Sequence, residues 1–352
     1  MDVRELGGLF MVGFEGTRFD SELSDFLAEL RPAGVILFAR NVEDPRQVGL
    51  LNKSVQSHCL GTHGEGILIG VDQEGGRVRR LREPFTVFPA ALELAASADP
   101  EQAVRGFARV TATELRLTGF NLDFAPVLDV VRDTVDVGNS VIGDRSFGAN
   151  PDLVARLGLI VMETFADQGV ISCCKHFPGH GGTSVDSHVD LPVDDRDAGS
   201  IETTDLLPFA RAVRNHAPML MTAHVRFPGL DPESCATFSP LIVRGLLREK
   251  LGYDGVVVTD DLDMGAVTNY FSPEEACLRA ILAGSDMLLI CNRPEKVLDC
   301  RTRLMEALRD GDLTEGRVRQ ALARIRRLKD RFRTSMIPCK DQPLLRHLGL
   351  IG

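Results

Sequence analysis

The stretch GVVVTDDLDM (255–264) shows the pattern that decides the fold. A run of β-branched residues, typical of a buried strand, ends in carboxylates. Seven other short apolar runs also lead into polar or charged residues. The eight candidate strands lie at 6–14, 34–38, 66–71, 122–131, 170–174, 217–222, 255–259 and 285–290. Segments with a helical pattern separate many of them.

Strands that alternate with helices predict βαβ units and a parallel sheet. Helices are expected at 44–57, 151–168, 203–214, 240–250, 273–282 and 315–333. Eight such units in 352 residues indicate an α/β fold, a (β/α)₈ TIM-type barrel. We expect a single barrel domain over residues 1–335 and a short C-terminal tail at 336–352. The alternative is a doubly wound sheet, but no G-x-G-x-x-G follows the first strand.

Charge and composition exclude several classes of function. The chain has 40 basic and 50 acidic side chains, a formal charge of −10, whereas a nucleic-acid binder needs a basic face. No apolar run approaches the ~18 residues that suggest a membrane-spanning helix. The eight cysteines contain no C-x-x-C pair, which favours reduced thiols in the cytoplasm. We therefore expect a cytoplasmic monomer with no nucleic-acid or membrane partner.

Several polar residues follow the candidate strands directly. In a barrel, the carboxyl ends of all strands meet at one mouth, where catalysis takes place. Asp72, His176, His224 and Asp260 stand at or just beyond such ends. We expect these four side chains to converge despite their separation in sequence.

The loop KHFPGHGGTSVDSH (175–188) is unusually rich in histidine, and three interpretations are open. His176, His180 and His188 would be metal ligands in the first, although their spacing resembles no compact zinc pattern. The histidines would satisfy buried backbone groups of a tight loop in the second. Asp186 and His188 would form an acid/base pair in the third, because residues two apart in an extended loop point to the same side.

Carboxylates mark two further stretches. In GVDQEGGRVRR (70–80), Asp72 at a strand end is suited to gripping sugar hydroxyls. After the 255–259 run, Asp260 comes first and is expected to point inward, whereas Asp261 and Asp263 are expected to cap the next helix. Mg²⁺ binding is an alternative for these three acids. Adjacent acids also occur in substrate-assisted hexosaminidases, in which the N-acetyl group of the sugar is the nucleophile.

Together these segments resemble glycoside hydrolase family 3, and within it the single-domain bacterial β-N-acetylhexosaminidases of cell-wall recycling. KHFPGHG followed by D-S-H is highly specific, and T-D-D-L-D-M is moderately so. Thr259 in place of serine and Cys173-Cys174 in place of small residues are mild departures. The matching stretches are GVDQEGGRVRR (70–80), NLDFAPVLDV (121–130), VIGDRSFG (141–148), KHFPGHGGTSVDSH (175–188) and VTDDLDM (258–264).

The resemblance implies a role for each matched residue. Asp260 is the expected nucleophile, His188 the acid/base and Asp186 its partner. The expected substrate is a small carbohydrate, a cell-wall fragment in which N-acetylglucosamine precedes a 1,6-anhydromuramoyl group, and no metal or other cofactor is implied. The residues expected to contact the terminal N-acetylglucosamine are Asp72, Arg80, Arg145, Lys175 and His176; without the resemblance, Arg145 would be assigned to the surface.

Other functions stay open at this point. A family 3 β-glucosidase is one, and a β-N-acetylglucosaminide phosphorylase is another, because a histidine repels phosphate less than a carboxylate does. A metallohydrolase on the same fold is a third enzyme class. A barrel that only binds muropeptides is the non-enzyme alternative, and the presence of Asp260 and His188 argues against it.

Overall fold

Eight parallel strands form the sheet in the computed structural model, which describes residues 2–132, 140–183, 187, 189–292, 294–333 and 347. The hydrogen-bonded order is β8-β1-β2-β3-β4-β5-β6-β7. A parallel bridge between Val258 and Met287 joins β7 to the segment that enters β8. The sheet is thus a (β/α)₈ barrel, as predicted, and the doubly wound alternative is wrong. The strands are β1 (Phe10–Val12), β2 (Gly34–Leu37), β3 (Leu68–Val71), β4 (Leu122–Asp123), β5 (Ile171–Phe177), β6 (Met219–Thr222), β7 (Val256–Thr259) and β8 (Leu288–Ile290).

Helices connect the strands and surround the barrel. Four of them, α3, α5, α6 and α10, begin with a proline that follows an Asp, Asn or Ser cap, the arrangement favoured at helix starts. No helix in the described part of the chain has the length and apolar character needed to cross a bilayer. The helices are α1 (Val3–Gly7), α2 (Ser21–Leu30), α3 (Pro45–His63), α4 (Ala91–Ala95), α5 (Pro100–Leu117), α6 (Pro151–Asp167), α7 (Ala198–Thr203), α8 (Leu206–Arg214), a π-helix (Leu241–Lys250), α9 (Gly265–Thr268), α10 (Pro273–Ala283), α11 (Pro294–Asp310) and α12 (Glu315–Arg331).

Several sequence-based boundaries are wrong, among them the following three. The strand expected at 6–14 starts only at Phe10, because Asp2 and Glu5 form a capping box that begins helix α1. The strand expected at 122–131 ends at Asp123, and beyond it one bridge joins Val127 to Lys175. The helix expected at 203–214 is two helices, because Asp197 caps an earlier start.

Alternate strand residues fill the inside of the barrel. In β7, Val256 and Val258 pack in the interior cluster with side chains of the other strands, whereas Val257 faces the surrounding helices. Ile325 and Leu328 of α12 join the interior cluster. This period of two determines which residues beyond each strand point into the barrel mouth.

Candidate active site

One pocket lies at the carboxyl ends of the strands. Ser187 and Asp261 line it, together with six of the eight predicted site residues: Asp72, Arg80, Arg145, Lys175, His176 and Asp260. The other two, Asp186 and His188, lie outside the described residues. His224, which was expected to converge with this group, is completely buried and does not line the pocket, but it contacts the backbone of Asp261.

The period of two explains why three of these side chains meet. Asp72, Lys175 and Asp260 each come two positions after a residue that faces the barrel interior, and successive odd or even positions share a side of a strand. The preceding residues are Gly70, Cys173 and Val258. The strands thus aim one cation and two carboxylates into the same space.

A charged wall, formed by Asp72, Glu74, Arg145 and Lys175, occupies one side of the pocket. Lys175 Nζ lies 2.7 Å from Asp72 Oδ1 and 2.7 Å from Glu74 Oε1. Arg145 donates two hydrogen bonds of 2.8 Å to the Glu74 carboxylate. Burial alone would raise the pKa of Glu74, but the charges of Arg145 and Lys175 hold it well below its usual value. The wall therefore carries fixed, ionised groups at neutral pH.

The sequence reasoning assigned no role to Glu74. It stands two residues after Asp72, so the period of two already indicated the same side of the chain. Arg145 is buried against Glu74, with 11% of its side chain exposed, and is not a surface residue. Its partner lies 71 positions away in sequence, which is why the turn around Arg145 gave no signal by itself.

Asp129 fixes the start of the histidine-rich loop. Its carboxylate accepts hydrogen bonds from the backbone N–H groups of His176 and His180, at 3.1 and 2.7 Å, and lies 2.7 Å from His176 Nδ1. Both ring nitrogens of His180 have hydrogen-bonding partners, because Nδ1 contacts the hydroxyl of Thr183 and Nε2 contacts the hydroxyl of Ser187. The second interpretation, in which the rings satisfy backbone groups, is therefore wrong for His180, whose ring bonds to side-chain hydroxyls. His176 and His180 both line the pocket.

The metal interpretation needs His188, which lies outside the described residues. Within those residues, no group of three or more His, Cys, Asp or Glu side chains is arranged to hold a metal ion.

Asp260 faces the pocket and is held by a backbone group. Its Oδ1 accepts a 2.8 Å hydrogen bond from the N–H of Asp261. Burial would raise the pKa of Asp260, but the nearby ring of His176, the Asp261 N–H and Lys175 together lower it. The carboxylate is therefore ionised at neutral pH.

The neighbouring acids do not cap a helix, so that expectation is wrong. Asp261 Oδ1 accepts hydrogen bonds from the N–H groups of Asp263 and Cys291, and Asp263 Oδ2 accepts one from Asn292. These bonds tie the segment after β7 to the end of β8. Helix α9 starts after Met264, which makes no side-chain cap bond. Burial and the charges of Asp263 and Asp260 raise the pKa of Asp261 to about 7.

The pocket and the fold agree with the family comparison. The model for the glycosyl hydrolase family 3 N-terminal domain matches residues 3–328. A pocket with an ionised carboxylate at the carboxyl face of the barrel is compatible with glycoside hydrolysis. The chain belongs to glycosyl hydrolase family 3.

The similar proteins with an assigned activity belong to one branch of that family. A beta-hexosaminidase from Alkalilimnicola ehrlichii is 42% identical over 295 residues, which cover 82% of this chain and 82% of that relative. The structure of a family 3 beta-N-acetylglucosaminidase from Paenibacillus is 37% identical to this chain, with a TM-score of 0.90. The match covers 95% of this chain and 63% of the Paenibacillus chain. NagZ from Neisseria gonorrhoeae, solved with N-trifluoroacetyl-D-glucosamine, is 34% identical with a TM-score of 0.74 over 91% of this chain and 98% of that chain.

Proposed function

We propose that the protein is a retaining β-N-acetylhexosaminidase that acts in the cytoplasm as a monomer. It releases terminal N-acetylglucosamine from cell-wall fragments in which this sugar precedes a 1,6-anhydromuramoyl group. The names of the relatives support N-acetylglucosamine as the sugar that is released, and the resemblance of the motifs supports the 1,6-anhydromuramoyl aglycone. The observation that carries the proposal is the Asp260 carboxylate, ionised and directed into a pocket whose opposite side is the charged wall.

Asp260 is the nucleophile in this mechanism. A retaining glycosidase needs one ionised carboxylate to attack the anomeric carbon and form a glycosyl-enzyme. The alternative carboxylate, Asp261, is a poorer nucleophile, because it accepts two backbone hydrogen bonds and its pKa is raised to about 7. The proposal assigns the attack to Asp260, in place of the substrate-assisted route in which the N-acetyl oxygen attacks.

The charged wall binds the terminal sugar. Asp72 accepts hydrogen bonds from sugar hydroxyls, while Lys175 and Arg145 donate them from positions already fixed by Glu74. Arg80 lies 3.5 Å from Asp72 and is 30% exposed, so it reaches the sugar from the rim. His176, held through Nδ1 by Asp129, presents the rest of its ring to the pocket.

His188 acts as the acid and then as the base, with Asp186 as its partner. A histidine suits both steps because its unperturbed pKa lies near neutrality. It first protonates the oxygen that leaves with the aglycone, and then takes a proton from the water that attacks the glycosyl-enzyme. Asp186 stabilises the imidazolium without accepting its proton. Support comes from the D-S-H motif, whose middle residue, Ser187, lines the pocket.

The test is hydrolysis of matched aryl β-glycosides of N-acetylglucosamine and glucose, with EDTA present. A strong preference for the N-acetyl sugar is expected, with no loss on chelation. Preference for glucose would instead assign a β-glucosidase, and loss of activity with EDTA would assign a metallohydrolase. Phosphate added to the same assay should yield free sugar only, whereas a sugar phosphate would show a phosphorylase.

The acid role has its own test. We expect His188→Ala to slow hydrolysis of substrates with poor leaving groups far more than that of activated aryl substrates, because activated groups leave without protonation. Equal loss on both classes would contradict the acid role. Binding of the chain to muropeptides with no turnover of any substrate would support the non-enzyme alternative.

A further inference from the structure

His224 is a buried histidine whose hydrogen bonds determine which ring nitrogen carries a proton. Its side chain is completely buried, and its Nε2 lies 3.1 Å from the backbone carbonyl oxygen of Asp261. A carbonyl oxygen only accepts hydrogen bonds, so Nε2 carries the hydrogen. Burial lowers the pKa of His224, and the ring is therefore neutral at neutral pH. Nδ1 is then the unprotonated nitrogen and lies 2.8 Å from the hydroxyl of Thr237. The same hydroxyl lies 3.0 Å from the Ala223 carbonyl oxygen and 3.0 Å from the Thr222 hydroxyl.

Asp261 connects this histidine to the Asp260 carboxylate. The N–H of Asp261 donates to Asp260 Oδ1, and the carbonyl of the same residue accepts from His224. The Asp261 carboxylate, in turn, accepts hydrogen bonds from the backbone N–H groups of Asp263 and Cys291. The residue that orients Asp260 is therefore held between His224 and the end of β8.

The plane of the His224 ring is also fixed. The ring stacks on Phe238, with centroids 6.4 Å apart and an angle of 22° between the planes. Thr237 and Phe238 belong to one 3₁₀ turn, Ala236–Phe238, so a single turn holds both the ring face and Nδ1. Nothing in this arrangement requires contact between His224 and a bound sugar.

We propose that His224 is a positioning residue for the nucleophile. Its Nε2–H holds the Asp261 carbonyl, and thereby the Asp261 N–H that orients the Asp260 carboxylate, while Thr237 anchors the ring at Nδ1. The inference rests on the proposed function, in which Asp260 attacks the anomeric carbon. Because a displacement of about 1 Å in a reacting group costs about 100-fold in rate, loss of this support affects the chemical step.

The first test compares two amides at the same position. His224→Asn places its amide near Nδ1 and loses the bond to Asp261, whereas His224→Gln places an N–H near Nε2 and restores it. We expect His224→Asn to lower kcat/KM about 100-fold, and His224→Gln to stay within about tenfold of wild type. The loss should be equal for activated and poor leaving groups, unlike that of His188→Ala. Inhibition by N-acetylglucosamine should stay unchanged, because the charged wall is intact.

A second variant avoids any change of shape in the core. Thr237→Val is isosteric and removes the hydroxyl that contacts His224 Nδ1, the Ala223 carbonyl and the Thr222 hydroxyl, so the ring loses its anchor on the side away from Asp261. We expect about a tenfold loss in kcat. Thr164→Val is the matched control, because Thr164 is buried in α6 and its hydroxyl bonds only to the Ile160 carbonyl among the described residues. The control should keep wild-type kcat.

Wild-type kcat/KM in both His224→Asn and Thr237→Val would overturn the inference. So would a loss confined to KM, accompanied by weaker inhibition by N-acetylglucosamine, because that pattern would mean a collapsed pocket. Full activity of Asp260→Asn would instead overturn the proposed nucleophile, and the positioning role with it. The two failures are therefore distinguishable.

Discussion

Two buried clusters of oppositely charged side chains lie at the two ends of the barrel, and they have different roles. At the mouth, the charged wall joins Glu74 to Arg145 and Lys175 beside the pocket. At the other end, Asp286 lies just before β8, and its carboxylate forms ion pairs with Arg248, Arg317 and Arg324. The Asp286 side chain is 0% exposed, and it also accepts the N–H of Val257. Similar chemistry therefore occurs where a substrate can enter and where α12 packs across the barrel.

The difference lies in what remains free to act. At the far end, burial lowers the pKa values of Arg248 and Arg317, and the cluster serves to hold α12 and the π-helix onto β7 and β8. At the mouth, Asp260 lies opposite an ion-paired wall, yet no ion pair joins it to a cation among the described residues. In the proposed mechanism, ion pairs fix the groups that bind the sugar, and a single backbone hydrogen bond leaves the Asp260 carboxylate available to attack.

The largest effect is expected at the mouth, from Asp260→Asn. An amide cannot form the glycosyl-enzyme, so kcat should fall at least about 1,000-fold, while the midpoint of thermal unfolding stays close to that of wild type. Activity assays and calorimetry on the same sample check both parts. Residual activity near wild type would move the nucleophile elsewhere.

A matched pair of variants separates the two ends. Asp286→Asn leaves three buried guanidinium groups without their shared carboxylate and should cost about 3–5 kcal/mol of unfolding free energy. Its KM should not change. Glu74→Gln removes one carboxylate from the charged wall, and we expect a higher KM and weaker inhibition by N-acetylglucosamine. Urea titrations and steady-state kinetics test the contrast, and a raised KM in Asp286→Asn would remove it.

The pH dependence of stability should reveal Asp261. Its pKa of about 7 in the folded protein exceeds the value of about 4 for an unfolded aspartate, so the folded state binds more protons between these values. This residue therefore destabilises the fold increasingly as the pH rises from about 4 to about 7. Asp261→Asn should gain stability relative to wild type between pH 5 and pH 8, measured by urea unfolding. An equal difference at both pH values would contradict the raised pKa.

The smallest effect is expected at the rim. Arg80 and Asp72 form a long, partly exposed ion pair, and such pairs contribute under about 1 kcal/mol. Arg80→Gln should therefore leave unfolding unchanged and raise KM by less than about tenfold. A loss as large as that of Glu74→Gln would show that Arg80 belongs to the fixed part of the wall.

Those features of the structure that depend on a local sequence pattern were predictable. Short apolar runs predicted the eight strands, and the positions of Asp72 and Asp260 directly after strands predicted that both lie at the barrel mouth. Asp129 was missed as an anchor, because its partner His176 lies 47 positions away and no local pattern couples them. The contact from His224 to the Asp261 carbonyl was invisible for the same reason, since a backbone acceptor has no sequence signature.

The central claim is that Asp260 itself bonds to the sugar. The most direct measurement is to incubate the protein with a fluorinated N-acetylglucosaminyl fluoride, which forms a glycosyl-enzyme faster than water removes it, and to locate the adduct by peptide mass spectrometry. We expect one sugar per chain, attached to Asp260 and absent from Asp260→Asn. An adduct on Asp261, or turnover of the reagent with no adduct and strong inhibition by an analogue of the cyclised N-acetyl group, would contradict it.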